Sequence, residues 1–128
     1  MDIKDNLNEF LVISRGHWDK DKSPEEIQAA IDQFYAWIEQ EINAGRMRAG
    51  QRLSSLGKVV QKQGVTDDPY TETREIIGGY WFIMAESLEE AANLASRNPC
   101  LECGLLYEIR PIENALASAY QKTSETPK

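Results

Sequence analysis

Two kinds of hydrophobic spacing alternate between residues 9 and 112, and each predicts an element. "EFLVISR", 9–15, is short, rich in β-branched residues and bounded by Gly16, which predicts a strand. Its alternating positions are apolar on both faces, Phe10 and Val12 on one and Leu11 and Ile13 on the other. A helix follows. Ser23 can cap it, Pro24 suits its first position, and Glu26 completes a capping box. Ile27, Ile31, Phe34, Ile38 and Ile42 then recur at spacings of four, three, four and four, within one stripe of a helix of about 3.6 residues per turn. Tyr35 and Trp37 flank that stripe, and Gly45 supplies the left-handed stop after the last turn.

Weaker signals fill 46–63. "MRAGQRL" and "KVVQK" predict strands joined around "SSLGK" by a turn near Gly57. "IIGGYWFIMA", 76–85, predicts a strand with Tyr80, Phe82 and Met84 on one face and Trp81 and Ile83 on the other. Its Gly78 and Gly79 leave room for a bulge or a close neighbouring backbone. "SLEE", 87–90, repeats the capping-box pattern and opens a short helix to about Arg97, with Leu88, Ala91, Ala92 and Ala95 as its core face and Pro99 closing it. "GLLYEIRPI", 104–112, is the last strand. In the tail, Leu116, Ala119 and Tyr120 fall on one side of a short helix, and the last eight residues have the composition of a disordered end. The expectation is an α+β fold, a ferredoxin-like sandwich whose antiparallel sheet carries both helices on one face. A loose N-terminus at 1–8, one domain at 9–112 and a C-terminal extension at 113–128 complete the layout.

Two helices can cover one face of a four- or five-stranded sheet, but not both. Yet the first and fourth predicted strands are apolar on both sides, as strands buried on two faces are. An uncovered apolar patch of that extent usually marks an interaction surface. A second copy of the same sheet, related by a two-fold axis, is the simplest cover, because one short tail helix spans too little area. The expected assembly is a homodimer packed through its sheets.

Composition narrows the partners. At 128 residues, 41% hydrophobic and 27% charged, the chain has the make-up of one ordinary soluble domain. Its 14 basic and 21 acidic residues give a net charge of −7, and no Lys/Arg cluster overrides it, which argues against nucleic acid. "MDIKDNLNEF" has neither the basic start nor the apolar core of a signal peptide, and no apolar run reaches membrane-spanning length. The expected setting is the cytoplasm, away from membranes, with both cysteines reduced.

Candidate chemistry centres on "VTDDPYTETREIIGGYWFIM", 65–84, where a polar run meets an apolar strand. Asp67 and Asp68 serve as turn residues and Pro69 sets φ for the turn, a structural use that explains the composition without any reaction. As chemistry, Asp67 and Glu72 offer general acid or base groups if a pocket moves a carboxyl toward neutrality. Tyr70 offers a donor to a substrate oxygen, and Arg15 an anion contact at the end of the first strand. His17, the single histidine, is expected in an exposed loop and is a third catalytic candidate, while Tyr80 and Trp81 supply an apolar wall. No metal is expected. One histidine cannot build a histidine-rich site, and "WDKDK" lacks the glycine of a calcium loop. "CLEC", Cys100 to Cys103, has no second pair for structural zinc, and it follows a helix instead of opening one as a thioredoxin-like thiol would.

Asp67, Asp68, Pro69, Tyr70, then Thr71 to Glu75, then Gly78, Gly79 and Tyr80, resemble the YCII-related family in its branch named for an Asp-Gly-Pro-Phe motif. "FLVISRG", "SLEEAANLASRNPCLECG" and "YEIRPI" are similar to the family's first strand, second helix and final strand, so the resemblance spans roughly 9–112. It implies a dimeric α+β barrel. Related barrels include lyases, isomerases and monooxygenases, and some relatives in the branch are encoded beside or fused to sigma factors. Asp68 replaces the motif's glycine, and Tyr70 replaces its phenylalanine and adds a hydroxyl. In another branch a helix histidine and an aspartate form a proposed catalytic pair; the matching positions here are Phe34 and Asn98. The resulting expectation is a homodimer holding a small organic ligand, with acid–base chemistry of the isomerase or lyase type that needs no cofactor. The rival is a non-catalytic regulatory module linked to a sigma-factor pathway.

Overall fold

In the computed structural model the described residues are 7–67 and 76–127. Strand β1 (Asn8–Arg15) runs through the middle of a four-stranded sheet and pairs antiparallel with β5 (Ile77–Ala85) on one side and β6 (Leu106–Pro111) on the other. Strand β2 (Met47–Arg52) pairs antiparallel with β5 and completes the order β2-β5-β1-β6. Helix α1 (Pro24–Asn43) follows β1, and α2 (Leu88–Ala95) follows β5. Leaving aside a hairpin between β2 and β5, this is the ferredoxin-like β-α-β-β-α-β arrangement. The α+β expectation holds, with the antiparallel sheet and two helices.

Alternation along the strands sets the two faces. Phe10, Val12, Trp81 and Ile83 are buried with Met47 and Ala85 in one core, joined by Ala91, Leu94 and Ala95 of α2. Phe34, Trp37 and Ile38 of α1 pack against the same core, so both helices lie over one face. The other face carries Leu11, Ile13, Tyr80, Phe82 and Met84, all half-buried.

The ends of α1 follow their sequence signals. Ser23 Oγ accepts from Glu26 N–H at 3.1 Å and Glu26 Oε1 accepts from Ser23 N–H at 3.1 Å, closing the capping box. Ala44 caps the C-terminus and Gly45 follows at φ 80. At α2 the box is half formed. Ser87 Oγ accepts from Glu90 N–H, but the Glu90 carboxylate accepts from Glu86 N–H instead of the cap.

The glycine pair acts as its position suggested. Ser14 pairs with Gly79 and Arg15 with Ile77, which leaves Gly78 as the extra residue of a bulge. A Cβ on Gly79 would stand 2.8 Å from the Gln51 carbonyl oxygen, so the β2 backbone approaches too closely for any side chain.

Four expectations need correction. Val65 to Asp67 form a strand, β4 (Gly64–Asp67), which pairs with β3 (Lys58–Gln61) as a separate two-stranded sheet. The turn joining them is Lys62 and Gln63, so β3 does not extend the main sheet and Asp67 ends a strand opposite Lys58. The buried face of α2 is Ala91, Leu94 and Ala95; Leu88 is 45% exposed and Ala92 is exposed, because the face is turned toward Leu94 and away from them. Pro99 starts a 3-10 helix, Pro99–Cys103, instead of merely ending α2. In the tail no helix forms through residue 127, and Leu116 and Tyr120 are 91% and 98% exposed, since nothing in the described chain receives them.

Candidate functional site

The apolar stripe of α1 is only partly spent on the core. Ile27, Ile31, Phe34 and Ile38 are only half-buried and Ile42 is exposed, while Ala30 and Glu41 are the helix's buried residues. Glu41 is held by a two-pronged ion pair from Arg46 just past the helix end. The helix packs against the 3-10 helix and against β2. Between it and the sheet lies a cleft of about 770 Å³.

Ile31, Phe34, Ile38 and Ile42 form its helical wall, with Tyr35 and Glu39 beside them. Trp81, Gly79 and Ser14 contribute from the sheet, and Ala49 to Arg52 from β2. Gly16, His17 and Trp18 close one end. That loop is pinned where Asp19 N–H donates to the Cys103 carbonyl at 2.8 Å. Cys100, Leu105 and Tyr107 complete the lining.

Exposure separates a mouth from a floor. His17, Glu39 and Arg52 are exposed, and Tyr35 is 53% exposed. Trp81 and Cys100 are buried. At the floor Phe34 and Tyr107 meet Trp81 edge-on, with centroids 5.2 and 5.3 Å away. The Trp81 Nε1–H is buried without a hydrogen-bond partner among the described residues, in keeping with these ring faces around it.

The polar groups of the floor are uncharged. Burial raises the Tyr107 hydroxyl well above the usual phenol range, the neighbouring Cys100 thiol adds to the rise, and Asn98 and Ser14 partly offset it. Burial likewise raises the Cys100 thiol, with Tyr107 opposing and Cys103 reinforcing. Both groups hold their protons at neutral pH. Cys100 Sγ–H is 3.8 Å from the Ala30 carbonyl it donates to, and Cys100 N–H donates to Asn98 Oδ1 at 2.8 Å. The Asn98 Nδ2 is buried with no hydrogen-bond partner among the described residues.

The residues singled out from sequence divide between the faces. His17 and Trp81 line the cleft, His17 at its mouth and Trp81 at its floor. Tyr80 borders it, but its ring packs edge-on against Phe82, 5.9 Å between centroids, among the residues of the opposite face. Strand alternation therefore turns the Tyr80 and Trp81 side chains to opposite faces, with both residues bordering the cleft. Arg15 is not among the cleft residues; its Nε is 2.7 Å from Glu108 Oε1 on the open face, the side that odd-numbered β1 residues occupy. Tyr70 and Glu72 lie outside the described residues, and Asp67 is described only in its backbone, as the last residue of β4. Sequence reading missed Ser14, Cys100 and Tyr107. A signal was present: Ser14 and Tyr107 interrupt the inward-facing sets Phe10, Val12 and Ile109 at the same end of the sheet, where they pair in register.

A profile of the YCII-related domain matches residues 10–115, so the chain belongs to the YCII-related family. No curated protein matches it. Among solved structures it is similar to a 5-chloro-2-hydroxyhydroquinone dehydrochlorinase from Burkholderia phenoliruptrix AC1100, in complex with 2,5-dihydroxybenzoquinone, at 15% identity and a TM-score of 0.46, over 84% of this chain and 95% of that one. A hydroxynitrile lyase from Passiflora edulis is similar at 16% identity and a TM-score of 0.43, over 86% and 98% of the respective chains. Phe34 stands on the cleft wall, and Asn98 is buried with its Oδ1 accepting from Cys100 N–H. Among the described residues no group of three or more His, Cys, Asp or Glu is placed to hold a metal, and no helix is long and apolar enough to cross a membrane.

Proposed function

We propose that the protein binds a small organic molecule in the cleft under α1. The carrying observation is the stripe of Ile31, Phe34, Ile38 and Ile42, which is left half-buried to exposed along a cavity of about 770 Å³. Ligand clefts commonly hold roughly 300–1,000 Å³ and combine apolar walls with a few polar groups. His17 at the mouth suits general acid–base work of the isomerase or lyase type without a cofactor. Asp67, Tyr70 and Glu72 are the further candidates, as members of the Asp-Gly-Pro-Phe branch of the family. Support for that branch is the run from Asp67 to Glu75 followed by Gly78 and Gly79, both cleft residues. A thermal-shift screen with small phenols and acids tests the reading. Stabilisation by a compound that Phe34→Ala, Asp67→Asn and Glu72→Gln each weaken is expected. A ligand unaffected by Phe34→Ala would place binding elsewhere.

We also propose a homodimer joined through the open sheet face, in the cytoplasm. Its centre is apolar, with Leu11, Ile13, Phe82 and Met84 half-buried in the single chain. Its rim is ion-paired, with Arg48 to Glu9 and Arg15 to Glu108, and the Arg48 guanidinium 3.9 Å above the Phe82 ring. Sedimentation at micromolar concentration is expected to give a dimer that Leu11→Lys converts to monomers. A monomeric parent chain would end the proposal.

A further inference from the structure

The cleft is uneven in its chemistry, and the unevenness selects among ligands. Its walls are aromatic near the floor, where Phe34, Trp81 and Tyr107 meet edge to face. Aromatic side chains in that geometry offer ring faces and edges to a flat guest. Its charged and ionisable side chains His17, Glu39 and Arg52 stay at the exposed mouth. Floor polarity comes from Ser14, Cys100 and Tyr107, with Asn98 behind, and none of these carries a charge at neutral pH.

Among the described residues, a carboxylate or phosphate driven to that floor would leave its hydration for a place without a paired cation, and an ammonium would find no carboxylate there; both are costly. A neutral oxygen meets neither objection. Tyr107 lines the cleft and its hydroxyl keeps its proton at neutral pH, with the Cys100 thiol as a neighbour. Sulfur is a weak acceptor, and a ligand oxygen is a better one.

We infer that the cleft takes a planar aromatic molecule bearing a hydroxyl or carbonyl oxygen, its ring against Phe34 and Trp81 and its oxygen accepting from Tyr107. The inference rests on the small-molecule reading above and adds to it a class of ligand and a residue that recognises it.

Three near-isosteric probes separate the two readings: p-cresol, toluene and 4-methylbenzoate, titrated into the full chain while the indole N–H signals are followed by NMR. p-Cresol is expected to bind about three- to tenfold more tightly than toluene, the range one neutral hydrogen bond supplies, with 4-methylbenzoate weakest. Tyr107→Phe should bring p-cresol down to the toluene value and leave toluene unchanged. The ranking in the unsubstituted chain carries the test even if that variant does not fold. Equal binding of p-cresol and toluene, or tightest binding of 4-methylbenzoate, would overturn the oxygen contact while leaving the cleft as a ligand site. No binding by any of the three would overturn both readings.

Discussion

The two helices start alike and end differently. Each has a serine cap with a glutamate three residues on, each carries an apolar stripe, and both lie over the same face of the sheet. Helix α2 buries its stripe: Ala91, Leu94 and Ala95 are 0%, 8% and 7% exposed. Helix α1 is longer and leaves Ile31, Phe34 and Ile38 half-buried along a cavity. Side-chain size accounts for much of the contrast. Alanines let α2 settle onto β5 and β6, whereas isoleucines and large aromatics hold α1 further off, since interaxial distance follows the side chains at the contact. One kind of periodic signal thus builds core in one half and a chamber in the other.

Paired truncations give the largest test of that contrast. Leu94→Ala removes a buried side chain from a filled core and is expected to cost about 2–4 kcal/mol, the usual range for deleting a buried leucine. Ile38→Ala trims a half-buried wall beside existing space, so roughly 1 kcal/mol is expected, with a clear loss of ligand stabilisation. Urea midpoints measured with and without a bound aromatic check both. Equal costs would mean that the α1 stripe is packed as tightly as α2 and that the cleft closes in solution.

What could be read in the chain beforehand follows the same divide. Elements were legible because periodicity is local: the stripe from Ile27 to Ile42, its capping box and Gly45 each fix part of α1. Strand β4 was hidden because Val65 to Asp67 has turn chemistry at one end and pairs only with its neighbour β3. The cleft was mostly hidden, since it joins Ser14, Cys100 and Tyr107 from three separate elements. Tyr80 and Trp81 both border the cleft, but neighbours in a strand face opposite ways, and the Tyr80 ring packs against Phe82. His17 was legible only as an exposed loop residue. Its place at the mouth depends on how the loop to α1 is pinned by the Asp19 N–H to Cys103 carbonyl bond, a contact between distant parts of the chain.

A smaller effect separates the halves by pH. The groups shifted by burial at the cleft floor are Cys100 and Tyr107, and both are held above their ordinary values of 9.0 and 10.0. The folded chain therefore keeps each proton to higher pH than the unfolded chain does. Below about pH 9 both states are protonated at these sites and their contribution to stability is whole. As pH rises past the ordinary thiol and then phenol values, the unfolded state releases protons first, and unfolding becomes progressively easier. Urea midpoints taken from pH 8 to 10.5 should fall, and the doubly substituted Cys100→Ala, Tyr107→Phe chain should fall less steeply. Leu94→Ala should lower the whole curve without changing its slope, because the α2 face contributes no titrating group to the core. A double variant whose midpoint falls as steeply as the parent's would show that the floor is wet enough for both groups to ionise as they do in water, and the distinction between a dry floor and an ionisable mouth would go with it.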